Sequence, residues 1–352
     1  MLNSPIALVL GAGSSRDFGA NDTSPFPLGD DLRLKIAKCL DIQVDDFGRE
    51  VRRGSRSILA AYRMVSQAAT DESVKVGNLI AAGQSIAQAL PGCESIDDLL
   101  ERHSANNLYS TAGKLAIAEC IAAAERSSPL RQDPTKIKIP EIGKYSHHWL
   151  SRFLQGITKG CRTEKELSDV FSNLKVINFN YDRCFEWFAF LWLRHVYALV
   201  EVKAWEVLSF IEVIHPYGSL GSLPNGSNRA VPFGGDVDSD DLFAMHSNIL
   251  TYSESVEEDR RVEKITAATR DCTKVIFLGF SFHIQNMKLL DFEKSSHRDV
   301  YATTVGMPEP RWETAQNRIR ESLKQTRGTT VIASSSKSCC ELIMDYTDRW
   351  AA

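Results

Sequence analysis

Ile6-Ala7-Leu8-Val9-Leu10-Gly11-Ala12-Gly13-Ser14-Ser15-Arg16-Asp17-Phe18-Gly19 is the stretch that decides the fold. Its first five residues are apolar, include β-branched Ile6 and Val9, and stop at a glycine, which marks a short buried strand. Gly11 and Gly13 let the backbone turn sharply and come close to a ligand. From Leu28 onward, Leu28, Leu32, Leu34, Ile36, Ala37 and Leu40 predict a helix. A strand, a glycine turn and a helix build a cradle for phosphate or a dinucleotide. The usual fingerprint G-x-G-x-x-G needs a glycine at 16, where this chain has Arg16. Glycine recurs instead at Gly19, eight positions after Gly11. A tight turn with no ligand is the plain alternative for the same residues.

The bulk composition narrows the function classes. Of 352 residues, 43% are hydrophobic and 24% charged, an ordinary globular balance. A formal net charge of −4 offers no general attraction to nucleic acid or to a membrane surface. The most apolar window, 185–200, is interrupted by Glu186, Arg194 and His195, so it is not expected to span a bilayer. A strand follows the first few residues directly, so no signal peptide is expected and the chain reads as cytoplasmic. The eight cysteines are scattered except for adjacent Cys339 and Cys340, and none forms a C-x-x-C pair. They read as free thiols of a reducing compartment, and no metal site is expected.

Three later runs resemble the first strand: 174–179, 210–214 and 274–278. Polar residues or glycine follow each, as where parallel strands deliver chemistry at their carboxyl ends. Further strands are expected at 299–304 and 329–333, with a helix over 312–325. Residues 41–170 lack strand signals and carry helical runs at 57–62 and 114–125. Ser95 before Asp97 and Asp98 reads as a capped helix start. Loops are expected over 126–140 and 223–241. The fold class is therefore α/β: a Rossmann-like parallel sheet with flanking helices, from 1–40 and 171–352, and a helical module, 41–170, inserted after its first βα unit. The aromatic window Phe185 to Leu193 predicts a helix buried on several sides, by the chain itself or by a second subunit.

Three strand ends carry candidate chemistry. Asn180 and Asp182 follow the strand at 174–179, where an amide can orient water or hold a ribose hydroxyl. An Asx turn leading into a helix explains the same pair. His215 follows the strand at 210–214 and can serve as a base near neutral pH. Gly279 and Ser281 follow the strand at 274–278 and would bring a second backbone segment to a phosphate. His283 is a second histidine candidate, and Asn286 could cap a helix or touch a ribose.

Taken together, these residues resemble the sirtuin-like superfamily. Gly11-Ala12-Gly13-x-Ser15 with Gly19 is similar to its first motif, and Asn180-Tyr181-Asp182 to its N-x-D element. His215 with Gly218 resembles the His-Gly element with two residues inserted, and Gly279-Phe280-Ser281 the third nucleotide-binding turn. The four paired cysteines of the deacylases' zinc ribbon are missing. That lack, the helical insertion, Phe185-Glu186 and Phe282-His283 make the chain more similar to the bacterial branch of antiphage defence.

The resemblance implies an NAD hydrolase that releases nicotinamide and ADP-ribose, with NAD as substrate. It places Asn180, His215 and Asp182 in catalysis: Asn180 on the water or ribose, His215 as base, Asp182 on the ribose or on developing positive charge. Gly11, Ala12, Gly13, Ser15, Gly19, Gly279, Ser281 and Asn286 would bind the nucleotide. It also implies control by assembly, as a homo-oligomer or with a partner such as a translocase-type ATPase or a phage-sensing protein. Two other readings stay open: an NAD-dependent deacylase or ADP-ribosyltransferase, and a non-catalytic module that senses NAD or ADP-ribose.

Overall fold

Every residue of Ile6–Leu10 is buried, as a strand covered on both faces must be. In the computed structural model this strand lies inside a six-stranded sheet. Residues 2, 4–18, 24–45, 50–131, 142–224, 230–257, 260–293, 298–324 and 332–350 are described. Gly19, in the proposed nucleotide loop, lies outside them. The strands are β1 (Ile6–Leu10), β2 (Gln43–Val44), β3 (Val51–Arg53), β4 (Leu174–Asn178), β5 (Glu212–Ile214), β6 (Lys274–Leu278), β7 (Asp299–Thr303) and β8 (Ile332–Ser335).

The large sheet runs β5-β4-β1-β6-β7-β8, and all its pairings are parallel. The chain builds outward from β1 to β4 and β5, then returns to the other side of β1 for β6, β7 and β8. This is the Rossmann-like order, and its direction reverses between β1 and β6. In such sheets ligands bind in the crevice outside the carboxyl ends of the strands at that reversal. Alternation along β1 sorts the two faces: Ala7 and Val9 enter one core, Ile6, Leu8 and Leu10 the other.

The helices of 41–170 do not enclose a core of their own. Arg56–Ala68, Val76–Ala89 and Asn107–Ser127 join the core on the Ala7/Val9 face. Trp149–Ile157 and Glu164–Ser172 join the opposite core. A two-stranded antiparallel ribbon, β2 with β3, adds strand where only helix was expected.

Several boundaries shift for local reasons. Phe210 and Ile211 belong to the turn that enters β5. Pro308 precedes the helix Glu309–Ser322, with Pro310 in its first turn, so that helix starts earlier than its apolar pattern suggests. Part of the expected loop 223–241 is helix, because Asp238 caps Ser239–His246 through the Asp241 amide. Residues 132–140 and 225–229 of the two expected loops lie outside the described residues.

The aromatic helix Cys184–Val196 buries Phe185, Trp187, Phe188, Phe190 and Trp192 within the chain. Its surface is thus spent on intramolecular packing, and the feature that pointed to a second subunit has an explanation inside one. All eight cysteines are free thiols. Among the described residues no helix is long and apolar enough to cross a membrane.

Candidate active site

The glycine loop after β1 presses against the loop after β6. The Gly11 N–H donates to the Leu278 carbonyl and the Gly13 N–H to the Gly279 carbonyl, both at 3.0 Å. A Cβ on Gly11 would lie 2.5 Å from the Gly279 oxygen, and one on Gly13 2.7 Å from the Gly279 Cα. Gly279 itself has φ +59, and its Cβ would lie 2.2 Å from the Ser14 nitrogen. The close backbone approach read from these glycines is therefore made by two loops of one chain. Ala12–Arg16 forms a single helical turn beyond the contact. Ser281 is exposed, and Asn286 accepts a hydrogen bond from the Tyr217 hydroxyl at 2.9 Å.

The turn after β4 is tied to the same loop. Asn180 Nδ2 donates to the Gly11 carbonyl at 3.1 Å and to Ser15 Oγ at 2.9 Å. Ser15 Oγ donates onward to Asp182 Oδ1 at 3.1 Å. The amide hydrogens of Asn180 are thus committed to the loop, and its carboxamide oxygen is what it can offer a ligand. Asx turns are also present: Asn178 Oδ1 accepts the Asn180 N–H, and Asp182 Oδ1 the Cys184 N–H, each at 3.1 Å. Asp182 is 4% exposed, and burial pushes its carboxyl up to about 6.

His215 completes the group. Its Nδ1 lies 2.9 Å from the Asn180 carbonyl oxygen and its Nε2 2.7 Å from Glu186 Oε1. Both ring nitrogens face acceptors, so the doubly protonated ring satisfies both bonds. Burial opposes that cation, but the adjacent Glu186 carboxylate and the Asn180 carbonyl outweigh it, and the His215 pKa is raised. A ring that donates from both nitrogens has no lone pair for a substrate proton. His283 instead pairs with Glu94 of the helical segment, at 2.8 Å.

A cavity of about 450 Å³ adjoins this group, with Glu186, His215, Trp205, Ser219, Asn248 and Arg261 on its walls. A second, of about 650 Å³, is lined by Arg16, Asp17, Tyr145, His147, His148 and Trp149 among others. It touches the glycine-loop helix, and the Trp149 indole N–H donates to the Ser14 carbonyl at 2.9 Å.

Sequence reasoning missed three supports. Arg183 forms a buried ion pair with Glu125, Nη2 to Oε2 at 2.5 Å and Nε to Oε1 at 3.1 Å. The signal was available: Ile117, Ile121 and Glu125 share one helical stripe, so an acid ends an apolar face. Glu186 looked like an interruption of an aromatic helix, not a partner for histidine. The Tyr181 hydroxyl donates to Asp97 of the helix Ile96–Arg102, and burial pushes both groups up. No local pattern announces that contact. No known family model matches the chain, and no curated protein matches it.

Proposed function

We propose that this protein cleaves the bond between nicotinamide and ribose in NAD, giving nicotinamide and ADP-ribose. One observation carries the reading: Asn180, Ser15, Asp182 and His215 form a continuous hydrogen-bonded group at the carboxyl ends of β1, β4 and β5. That is the ligand-binding edge of a Rossmann-like sheet. The group also resembles the sirtuin-like motifs named above.

The chemistry suits these residues. Nicotinamide leaves a pyridinium as a neutral molecule, so little acid catalysis is required. The transition state is oxocarbenium-like, and positioning and electrostatics lower its energy. Asp182 in its ionised form stabilises the developing positive charge. Asn180 offers its carboxamide oxygen to a ribose hydroxyl or to water. The loops at Gly11–Ser15 and Gly279–Ser281 flank the pyrophosphate, with Asn286 beyond. In the cell this activity would deplete NAD during phage infection, under control of self-assembly or a partner protein.

The inward commitment of both His215 ring nitrogens favours a second reading, a module that binds NAD or ADP-ribose without cleaving it. One assay separates them. Purified protein is incubated with NAD, and nicotinamide and ADP-ribose are quantified. Asn180→Ala and His215→Ala are each expected to lower cleavage by about 10²-fold or more with unchanged circular dichroism. NAD binding without nicotinamide release by the parent protein would establish the second reading.

A further inference from the structure

We propose that Cys39 and Cys120 are a redox pair, in which Cys39 reacts with hydrogen peroxide and Cys120 resolves the product to a reversible disulfide. This chemistry is separate from NAD cleavage and does not rest on it. The two sulfurs lie 3.8 Å apart, although the residues are 81 apart in sequence. Cys39 sits near the end of the helix Gly29–Leu40, and Cys120 inside Asn107–Ser127. Ser55 holds these helices in register. Its N–H donates to the Cys39 carbonyl at 2.9 Å, and its hydroxyl donates to Glu119, the neighbour of Cys120, at 2.7 Å. A disulfide is about 2.05 Å long, so the sulfurs need to close by less than about 2 Å, a distance shared between two side chains.

The two thiols differ in the way this chemistry needs. Cys39 is half-buried, whereas Cys120 is 4% exposed, so a small oxidant meets Cys39 first. The hydrogen bond from Cys120 holds the Cys39 pKa below its ordinary value, and Lys38 and Lys35 act in the same direction. Burial and Glu119 oppose them without reversing the shift. A larger thiolate fraction makes Cys39 the nucleophile. The same hydrogen bond, with burial, pushes the Cys120 pKa up, so Cys120 keeps its proton until the second step.

Both steps balance with peroxide as the oxidant. The Cys39 thiolate sulfur attacks one peroxide oxygen and the O–O bond breaks. Cys39 is oxidised to a sulfenic acid, and the other oxygen leaves as hydroxide and takes a proton to become water. The Cys120 sulfur then attacks the Cys39 sulfur and the S–O bond breaks. That oxygen leaves as a second water with the Cys120 proton, and the disulfide forms. Two electrons pass from the thiols to one peroxide. Where the cell keeps thiols reduced, such a bond is transient and registers oxidant. While it lasts, it fixes Asn107–Ser127, which also carries Glu125, to the helix that follows the glycine loop.

The test treats the folded full chain with a small excess of hydrogen peroxide and maps its peptides without reduction. A Cys39–Cys120 cross-linked peptide is expected, with Cys184 and Cys272 still alkylatable, and dithiothreitol is expected to restore both thiols. The oxidised protein is expected to melt about 5 °C above the reduced one, because the bond constrains the unfolded chain. In Cys120→Ser, Cys39 is expected to stop at the sulfenic acid and to be labelled by dimedone. In Cys39→Ser, Cys120 is expected to resist the same exposure. Cys39 and Cys120 that stay reduced, or that pair with other cysteines, overturn the proposal. So does a Cys39–Cys120 bond that forms only after unfolding in urea. Dimedone labelling of Cys120 in Cys39→Ser as fast as that of Cys39 in Cys120→Ser overturns the assigned order of attack.

Discussion

Arg183 and Glu125 meet two-pronged in the interior, with side chains 2% and 1% exposed. Arg183 immediately follows Asp182, so this ion pair anchors the turn that carries Asn180 and Asp182. Arg183 also donates to the Val231 carbonyl at 2.7 Å. Replacing Glu125 by leucine strands a buried guanidinium, and the expected loss is about 3–5 kcal/mol. Urea unfolding measures it. A loss below about 1 kcal/mol would show that the turn does not depend on the pair.

The contact between the glycine loops makes a sharp comparison. Gly279→Ala places a methyl carbon 2.2 Å from the Ser14 nitrogen and forces alanine to φ +59. Gly29 starts the helix Gly29–Leu40, and a Cβ there meets no atom within 4 Å. Gly29→Ala is expected to be neutral or stabilising by up to about 1 kcal/mol. Gly279→Ala is expected to lower the melting temperature markedly or prevent folding. Similar melting temperatures for the two variants would contradict the packing described.

Asp182 predicts a pH dependence with a definite sign. Its carboxyl is pushed up to about 6 in the folded chain from an ordinary 3.8. Between those values the folded state holds the proton that the unfolded state has released. The contribution to stability is therefore full below pH 3.8 and is lost as pH rises through about 6. The difference is worth about 3 kcal/mol at most. Asp182→Asn keeps an oxygen for the Cys184 N–H and Ser15 hydroxyl but cannot ionise. Its melting temperature is expected to exceed the parent's at pH 7.5, and the gap to close near pH 4. A gap that widens toward pH 4 would reverse the sign.

The thiols should differ in reactivity. Cys39 lies 3.8 Å from Cys120, and their hydrogen bond holds the Cys39 pKa below its ordinary value. Burial pushes Cys184, Cys272 and Cys339 up. Brief alkylation of the native protein at neutral pH is expected to label Cys39 ahead of those three, as read by peptide mass spectrometry. Labelling of Cys184 first would contradict this order.

The sheet was legible because its strands are short apolar runs ended by glycine or polar residues, and the pattern is strongest at 6–10 and 274–278. Asn180, Asp182 and His215 were legible as a group because all follow strand ends, where parallel sheets gather polar residues. Their partners were not. Glu186 lies within an aromatic run, and its bond to His215 depends on how the helix Cys184–Val196 is rotated against β5. The role of Gly11 was half legible: the paired glycines after the strand reveal a close approach, but not that the approaching backbone is Gly279. Tyr181 and Asp97 meet only because the helix Ile96–Arg102 folds back over the turn after β4.

That last contact bears on how far the chain can be trimmed. Tyr181 sits between Asn180 and Asp182, and its hydroxyl is anchored on a carboxylate from the long segment between β1 and β4. The same segment covers both faces of the sheet. Excising 41–170 and splicing the ends would unroof the sheet and leave the Tyr181 hydroxyl without its acceptor. The segment is thus not a detachable accessory, and a shorter folded fragment cannot be obtained by deleting it.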